Sequence, residues 1–264
     1  MSTPVRASDR DLRALAAIVS EDRPDLPDGE GLPPSLLADL KDQIRCDGIS
    51  LERWDSGRQA YSLLQCIPAP SDDELEALAA MDAADWEHLW ECHWDSQPCS
   101  YPERTGDLRR VVTIGDFYSV RQWHSTGFYS DFHRPGGVEH ELQLCLPDPT
   151  ELSAGPGQTV RLFLNRGPGP DFTERDRAVL TLLRPHLYQG CLDAERRRHP
   201  VPRLTPRQTD LLRLLAAGHT NTQIARHLGI SEGTVRTHLE NIYDRLHVSS
   251  RTAAVTRAFP GRVA

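Results

Sequence analysis

At 264 residues the chain is long enough for two domains, and its 38% hydrophobic and 26% charged content is that of a globular protein, not a disordered or membrane-embedded one. No apolar run nears the roughly 20 residues of a spanning helix, the polar N-terminus lacks the form of an export signal, and six scattered cysteines without a C-x-x-C pair fit reduced thiols, so a cytoplasmic location away from membranes is expected. The formal charge of −8 hides a split: residues 195–264 hold twelve Arg against five acidic side chains, a balance of +7, whereas residues 1–194 carry −15, which excludes the body, and admits the tail, as a phosphate-binding surface.

In chain order, Asp9–Ser20 reads as a helix, and alternating apolar and polar residues predict strands at Ile49–Trp54 and Ala60–Ile67. Asp72–His93 reads as one long helix on which Trp86, Trp90 and Trp94 recur at i+4 spacing. His88, Cys92, His93 and Cys99 form a metal-like cluster, but Cys99 follows a proline and no second ligand pair accompanies it, so no metal is expected. A strand at Arg110–Phe117 and a helix at Val120–His133 come next. Ten of the seventeen aromatic residues fall between Trp86 and Phe132. They fill a core, or some of them (Trp90, Trp94, Phe117, Trp123, Phe128 and Tyr129 are the candidates) line a cavity for an apolar or aromatic small molecule.

Strands at Glu141–Leu146 and Thr159–Asn165 complete a set expected to pair as an antiparallel sheet with flanking helices, an α+β domain over residues 1–195. Thr173 caps a last helix from Glu174 to about Arg197, interrupted or bent at Pro185. The run from Arg196 to Arg203, with three arginines and then two prolines, reads as a solvated linker over 196–203.

Residues 204–264 read as an all-helical domain. Thr205, Pro206 and Gln208 supply an N-cap, a first-turn proline and a capping box, and Gly218 a stop. Thr220 and Gln223 make a second box, Gly229 a turn, and Ser231 caps a third helix to about Leu246. Val235, Leu239, Ile242 and Leu246 form its apolar stripe; Gly233, Thr237, Glu240, Asn241 and Asp244 lie opposite, with Arg236 on the flank. Small hydrogen-bonding side chains beside one Arg suit a DNA major groove.

These residues, from Leu204-Thr205-Pro206-Arg207-Gln208 through Gly218-His219-Thr220-Asn221, Gln223-Ile224-Ala225, Ile230-Ser231 and Thr234-Val235-Arg236-Thr237-His238 to Asn241-Ile242 and Leu246, resemble the LuxR/NarL-type helix-turn-helix family. The one departure is Gln208, where the family usually has Glu. The resemblance implies four helices, the third entering the major groove, and a fourth near Arg251–Phe259 through which two copies pair on a two-fold duplex site. It places base-edge contacts on Arg236, Thr237 and Glu240, within a candidate DNA-binding set completed by Thr234, Asn241 and the helix N-terminus Thr220, Asn221 and Thr222, which suits a phosphate. The order of elements over about 45–190 resembles GAF/PAS-like sensor modules, which implies a sheet with a pocket.

The expected function is therefore sequence-specific, DNA-binding transcriptional regulation by a homodimer. The body senses a small molecule or partner, or serves only as a constitutive dimerisation and docking module. An enzyme body is disfavoured: no nucleophile elbow, H-E-x-x-H, paired-carboxylate or P-loop motif is present, and no cofactor is expected. The single lysine, Lys41, also leaves no receiver-type Lys-Pro pair, so phosphorylation is a poor candidate for the input.

Overall fold

Period-two alternation puts one row of each strand's side chains on each face of a sheet, and here both faces are covered. The computed structural model describes residues 9–20, 23–27, 31–150, 155–198, 204–246, 248 and 250–259. They fall into two units, divided between Arg198 and His199. The first holds helices α1 (Asp9–Ser20) and α2 (Pro34–Ile44), strands β1 (Gly48–Asp55) and β2 (Ala60–Ile67), and helices α3 (Asp72–Ala79), α4 (Ala83–Asp95) and α5 (Tyr101–Thr105). Strand β3 (Val112–Thr113), helix α6 (Val120–Trp123), strands β4 (His140–Pro147) and β5 (Gln158–Arg166) and helix α7 (Glu174–Arg198) complete it. The strands form one antiparallel sheet in the order β2-β1-β5-β4-β3.

Ile49, Leu51, Leu142, Leu144, Leu162 and Leu164 point to the face covered by α1, α2 and α7, where Leu37, Leu40, Leu180 and Leu187 close the larger core. The opposite row, including Trp54 and Phe163, packs beneath Leu89 and Trp90 of α4, Trp123 of α6 and Phe128. A bulge between Leu51 and Glu52 shifts the β1·β2 register there, which bends the sheet edge and re-aims the neighbouring side chains.

Several boundaries differ from the sequence expectation. Asp72–His93 is two helices, because Asp82 caps the second one: its carboxylate accepts from the backbone N–H groups of Ala84 and Asp85, and Asp85 accepts from Asp82 N–H. The Arg110–Phe117 strand shrinks to Val112–Thr113, since Ile114–Asp116 turns into a 3₁₀ helix. Val120–His133 breaks into α6 and a π-helical turn at Tyr129–His133. Helix α2, not anticipated, starts at Pro34 and buries Leu36, Leu37, Leu40 and Ile44. Helix α7 is continuous through Pro185, and both Pro185 and Thr181, whose carbonyl loses its usual helical donor there, are exposed residues. It also runs through Arg196–Arg198, three residues into the segment expected as linker; residues 199–203 lie outside the described ones.

The second unit holds helices α8 (Pro206–Ala216), α9 (Asn221–Leu228), α10 (Glu232–Leu246) and α11 (Arg251–Ala258) around Leu211, Leu215, Ile224, Val235, Ile242 and Leu246. No helix among the described residues is long and apolar enough to cross a membrane.

Candidate nucleic-acid interface and interior cavity

The C-terminal unit is built by local hydrogen bonding. Thr205 accepts from Gln208 N–H at 3.2 Å and Gln208 accepts from Thr205 N–H at 3.0 Å, so the glutamine closes the box. Thr220 and Gln223 repeat the exchange at the start of α9. Gly229 ends α9 at φ 64°, ψ 35°, left-handed backbone that glycine adopts without penalty. Ser231 then accepts from Thr234 N–H at 3.0 Å and opens α10. Arg251 donates to the Leu215 and His219 carbonyls, joining α11 to the end of α8.

Val235, Leu239, Ile242 and Leu246 are buried against α8, α9 and α11, which turns the opposite face of α10 to solvent. Thr234, Arg236, Thr237, Glu240 and Asn241 are all exposed there. The Thr234 hydroxyl bonds Ser231 Oγ at 2.8 Å and the Thr237 hydroxyl donates to the Gly233 carbonyl at 3.2 Å. Thr220 and Thr222 at the N-terminus of α9 are exposed and Asn221 is half-buried; the Thr222 hydroxyl donates to Glu232 at 3.0 Å. The expected contact set is thus brought to one surface made of the α9 N-terminus and the outer face of α10.

In the first unit a cavity of about 260 Å³ lies against the second face of the sheet. Its aromatic walls are Trp54, Tyr61, Phe128, Phe132 and Phe163, and its polar groups are Glu52, His133, Glu141, Arg161 and Asn165. Of the six aromatic residues expected to line a cavity, Phe128 does so. Trp90, Trp123 and Tyr129 are buried in the aromatic layer behind it, Phe117 packs on Tyr101 with ring centroids 5.6 Å apart, and Trp94 is 37% exposed. Trp94 leaves the layer because each four-residue step on a helix overshoots a full turn by about 40°, so the Trp86, Trp90, Trp94 row drifts around α4.

The polar wall was missed because inward-pointing charges on alternating strands look like a solvent face. A mixed row of Glu52 and Trp54 on β1, with Arg161 and Phe163 on β5, was the available signal. Arg161 has no exposed side-chain surface: it donates to Thr159 Oγ1 at 2.9 Å, to the Cys99 carbonyl at 2.5 Å and to Glu103 at 2.6 Å, and its guanidinium lies 5.2 Å from the Trp54 ring. Burial works against the Glu103 charge, but the His93 hydrogen bond and Arg161 outweigh it and hold the carboxyl below its ordinary range. Burial lowers the His93 imidazole. Glu52 accepts from the Ser50 hydroxyl at 2.6 Å and the Trp54 indole N–H at 3.0 Å, and burial pushes its carboxyl up to about 7. His133 Nε2 is 3.0 Å from Glu141.

The metal-like residues divide. His93 and Cys99 turn inward, to Glu103 and the aromatic core, whereas His88 lies 2.8 Å from Asp131 and 3.6 Å from Cys92 Sγ. Asp131 comes from the π-helical turn, so that among the described residues His88, Cys92 and Asp131 form a trio whose spacing could hold an ion.

Residues 202–258 match the GerE family model, described as bacterial regulatory proteins of the luxR family. The probable transcriptional regulatory protein SgaR of Hyphomicrobium methylovorum is 46% identical over 79 residues, 30% of this chain and 37% of that protein, so the chain spans little more than a third of that relative's length. Among solved structures, Escherichia coli SdiA matches 94% of this chain and 95% of its own at a TM-score of 0.51 and 16% identity. SdiA in complex with octanoyl-rac-glycerol matches 96% of each chain at 0.52 and 16%. At that identity the likeness is one of fold, and it extends to both units.

Proposed function

We propose that this chain, whose residues 202–258 form a luxR-family DNA-binding domain, is a transcriptional regulator that reads duplex DNA with α10 and senses a small molecule in the cavity of its first unit. The observation that carries the DNA reading is the outward row Arg236, Thr237, Glu240 and Asn241 on a helix whose other face is fully packed. Arg236 can donate two hydrogen bonds to a guanine edge, Glu240 can accept from a cytosine amine, and Thr237 can touch a thymine methyl. The N-terminus of α9 with Thr220, Asn221 and Thr222 serves a backbone phosphate. The sensing reading rests on a partly open, mostly apolar cavity with five aromatic side chains and a few convergent polar groups, the usual make-up of a small-molecule site.

Two copies pair through α11 and bind a two-fold site, and the protein works by binding without catalysis of its own. Cavity and output share the sheet: β4 and β5 present Glu141, Phe163 and Asn165 to the cavity and Leu142, Leu144 and Leu162 to the core that holds α7. A ligand that favours one packing of those strands thereby biases α7, which ends at Arg198 and leads into 199–203.

Native mass spectrometry of the full-length protein, taken as purified and before dialysis, tests the sensing half. Expected is an organic mass excess that leaves on denaturation, with duplex affinity changed once it is removed. A dimer without added mass, whose duplex affinity no small molecule alters, contradicts sensing and leaves a docking body.

A further inference from the structure

Among the described residues, Glu52, Asn165 and His133 line the cavity with acceptor atoms not fully used, and the lining guanidinium is already paired. Glu52 is held by two neutral donors, the Ser50 hydroxyl and the Trp54 indole, and keeps unused lone pairs on both oxygens. Asn165 Oδ1, on β5, is buried without a partner among the described residues. His133 Nδ1 is likewise without one; when Nε2 carries the proton that Glu141 accepts at 3.0 Å, Nδ1 presents a lone pair. The one guanidinium at this wall, Arg161, is spent. Its side chain has no accessible surface, and its nitrogens are committed to Glu103, Thr159 and the Cys99 carbonyl. Glu52, by contrast, retains accessible surface inside the fold.

A buried carboxylate with neutral partners is costly unless something positive meets it. The walls add a second attraction, since Trp54, Tyr61, Phe128, Phe132 and Phe163 offer ring faces that draw a cation and exclude an anion. A ligand carboxylate would lie against Glu52 and Glu141, and the described residues of the wall offer it no unspent guanidinium to offset them, the Tyr61 phenol being a neutral donor.

Resting on the reading of this cavity as the ligand site, we infer that the ligand is a small organic cation, a protonated amine on an aromatic or aliphatic body, whose N–H groups bond Glu52, Asn165 and His133. The amine sits over Glu52 at the sheet, and the apolar body lies among Phe128, Phe132 and Tyr61. Each N–H donor finds one of the three acceptors, which also removes the two unpaired atoms from the buried wall.

The test uses the full chain and three probes on one frame: 2-phenylethylammonium, 2-phenylethanol and 3-phenylpropanoate. Thermal shift and calorimetric titration are read for the native protein, for Glu52→Gln, which keeps shape and removes charge, and for Asn165→Leu in case the first does not fold. Expected is a concentration-dependent stabilisation by the ammonium probe, at least about tenfold tighter than the alcohol and with none from the carboxylate. Glu52→Gln should abolish that preference while leaving the alcohol's weak binding in place, and Asn165→Leu should weaken the ammonium probe alone. If the alcohol or the carboxylate binds as well as the ammonium, the cation assignment is overturned and the cavity stands as a ligand site. If none of the three binds, the cavity reading falls with it.

Discussion

Arg161 donates to Glu103 at 2.6 Å from a side chain with no exposed surface, joining β5 to α5 beneath the aromatic layer. Removing one partner of such a pair strands the other charge in a medium that cannot solvate it, which costs roughly 3–5 kcal/mol, whereas replacing both with apolar residues is close to neutral. Glu103→Ala should therefore lower urea-unfolding stability by that order, and the double variant Arg161→Met with Glu103→Leu should regain most of it. A Glu103→Ala protein within about 0.5 kcal/mol of the parent would show that the pair does not hold the fold.

Glu52 sets a pH dependence of the opposite sense to an ordinary ion-paired carboxylate. Burial pushes its carboxyl from an ordinary 4.5 up to about 7 despite the Ser50 and Trp54 hydrogen bonds, with Glu141 on β4 raising it further and Arg161 on β5 opposing. The neighbouring Tyr61 phenol, on β2, is itself raised by burial and stays neutral. A folded state that keeps a proton the unfolded chain releases is most stable below 4.5 and loses that stability as pH rises to about 7. Glu52→Gln should gain on the order of 2 kcal/mol over the parent at about pH 8 and lose that advantage near pH 4. Melting temperatures of both proteins across that range check it; a gap that does not change with pH contradicts the assignment.

Gly229 stands at φ 64° between α9 and α10, and a Cβ there would meet nothing within 4 Å. Its role is conformational alone, so Gly229→Ala should destabilise the second unit by about 1–2 kcal/mol, and Gly229→Asn by less. Duplex affinity measured below the melting range should be retained in both. An alanine variant as stable as the parent would mean that the turn has another backbone solution.

Arg236 separates base reading from charge. Arg236→Ala should weaken binding to the preferred duplex by roughly 1–3 kcal/mol while affinity for random duplex changes much less. Thr220→Ala, at the α9 N-terminus, should weaken both together. Equal losses on preferred and random duplex for Arg236→Ala would reduce it to a phosphate contact.

The C-terminal unit was legible because its signals are local. A capping box needs only residues i and i+3, as with Thr205 and Gln208 or Thr220 and Gln223, and the Val235–Leu246 stripe needs only helical periodicity. Strands β1, β2, β4 and β5 were legible to within about a residue through alternation. What escaped depends on partners distant in sequence. Glu52, Arg161 and Asn165 share one wall only because β1 pairs with β5, and no local pattern says that a covering layer of helices shields that face. Helix α2 escaped because Pro33-Pro34 reads as a break, although the second proline sits at a first-turn position where its missing N–H costs nothing. The joint between α3 and α4 was written in the Asp82–Asp85 box but masked by the many other acids around it.

The most direct test of DNA reading is selection of bound sequences from a pool of random duplexes with the full-length protein, repeated with Arg236→Ala, Thr237→Ala and Glu240→Ala. Expected is enrichment of one sequence with two-fold symmetry by the parent, with each variant relaxing the preference at its own base positions in both half-sites. Enrichment of no sequence, or of the same sequence by the parent and all three variants, would contradict the assignment of α10 as the element that reads DNA.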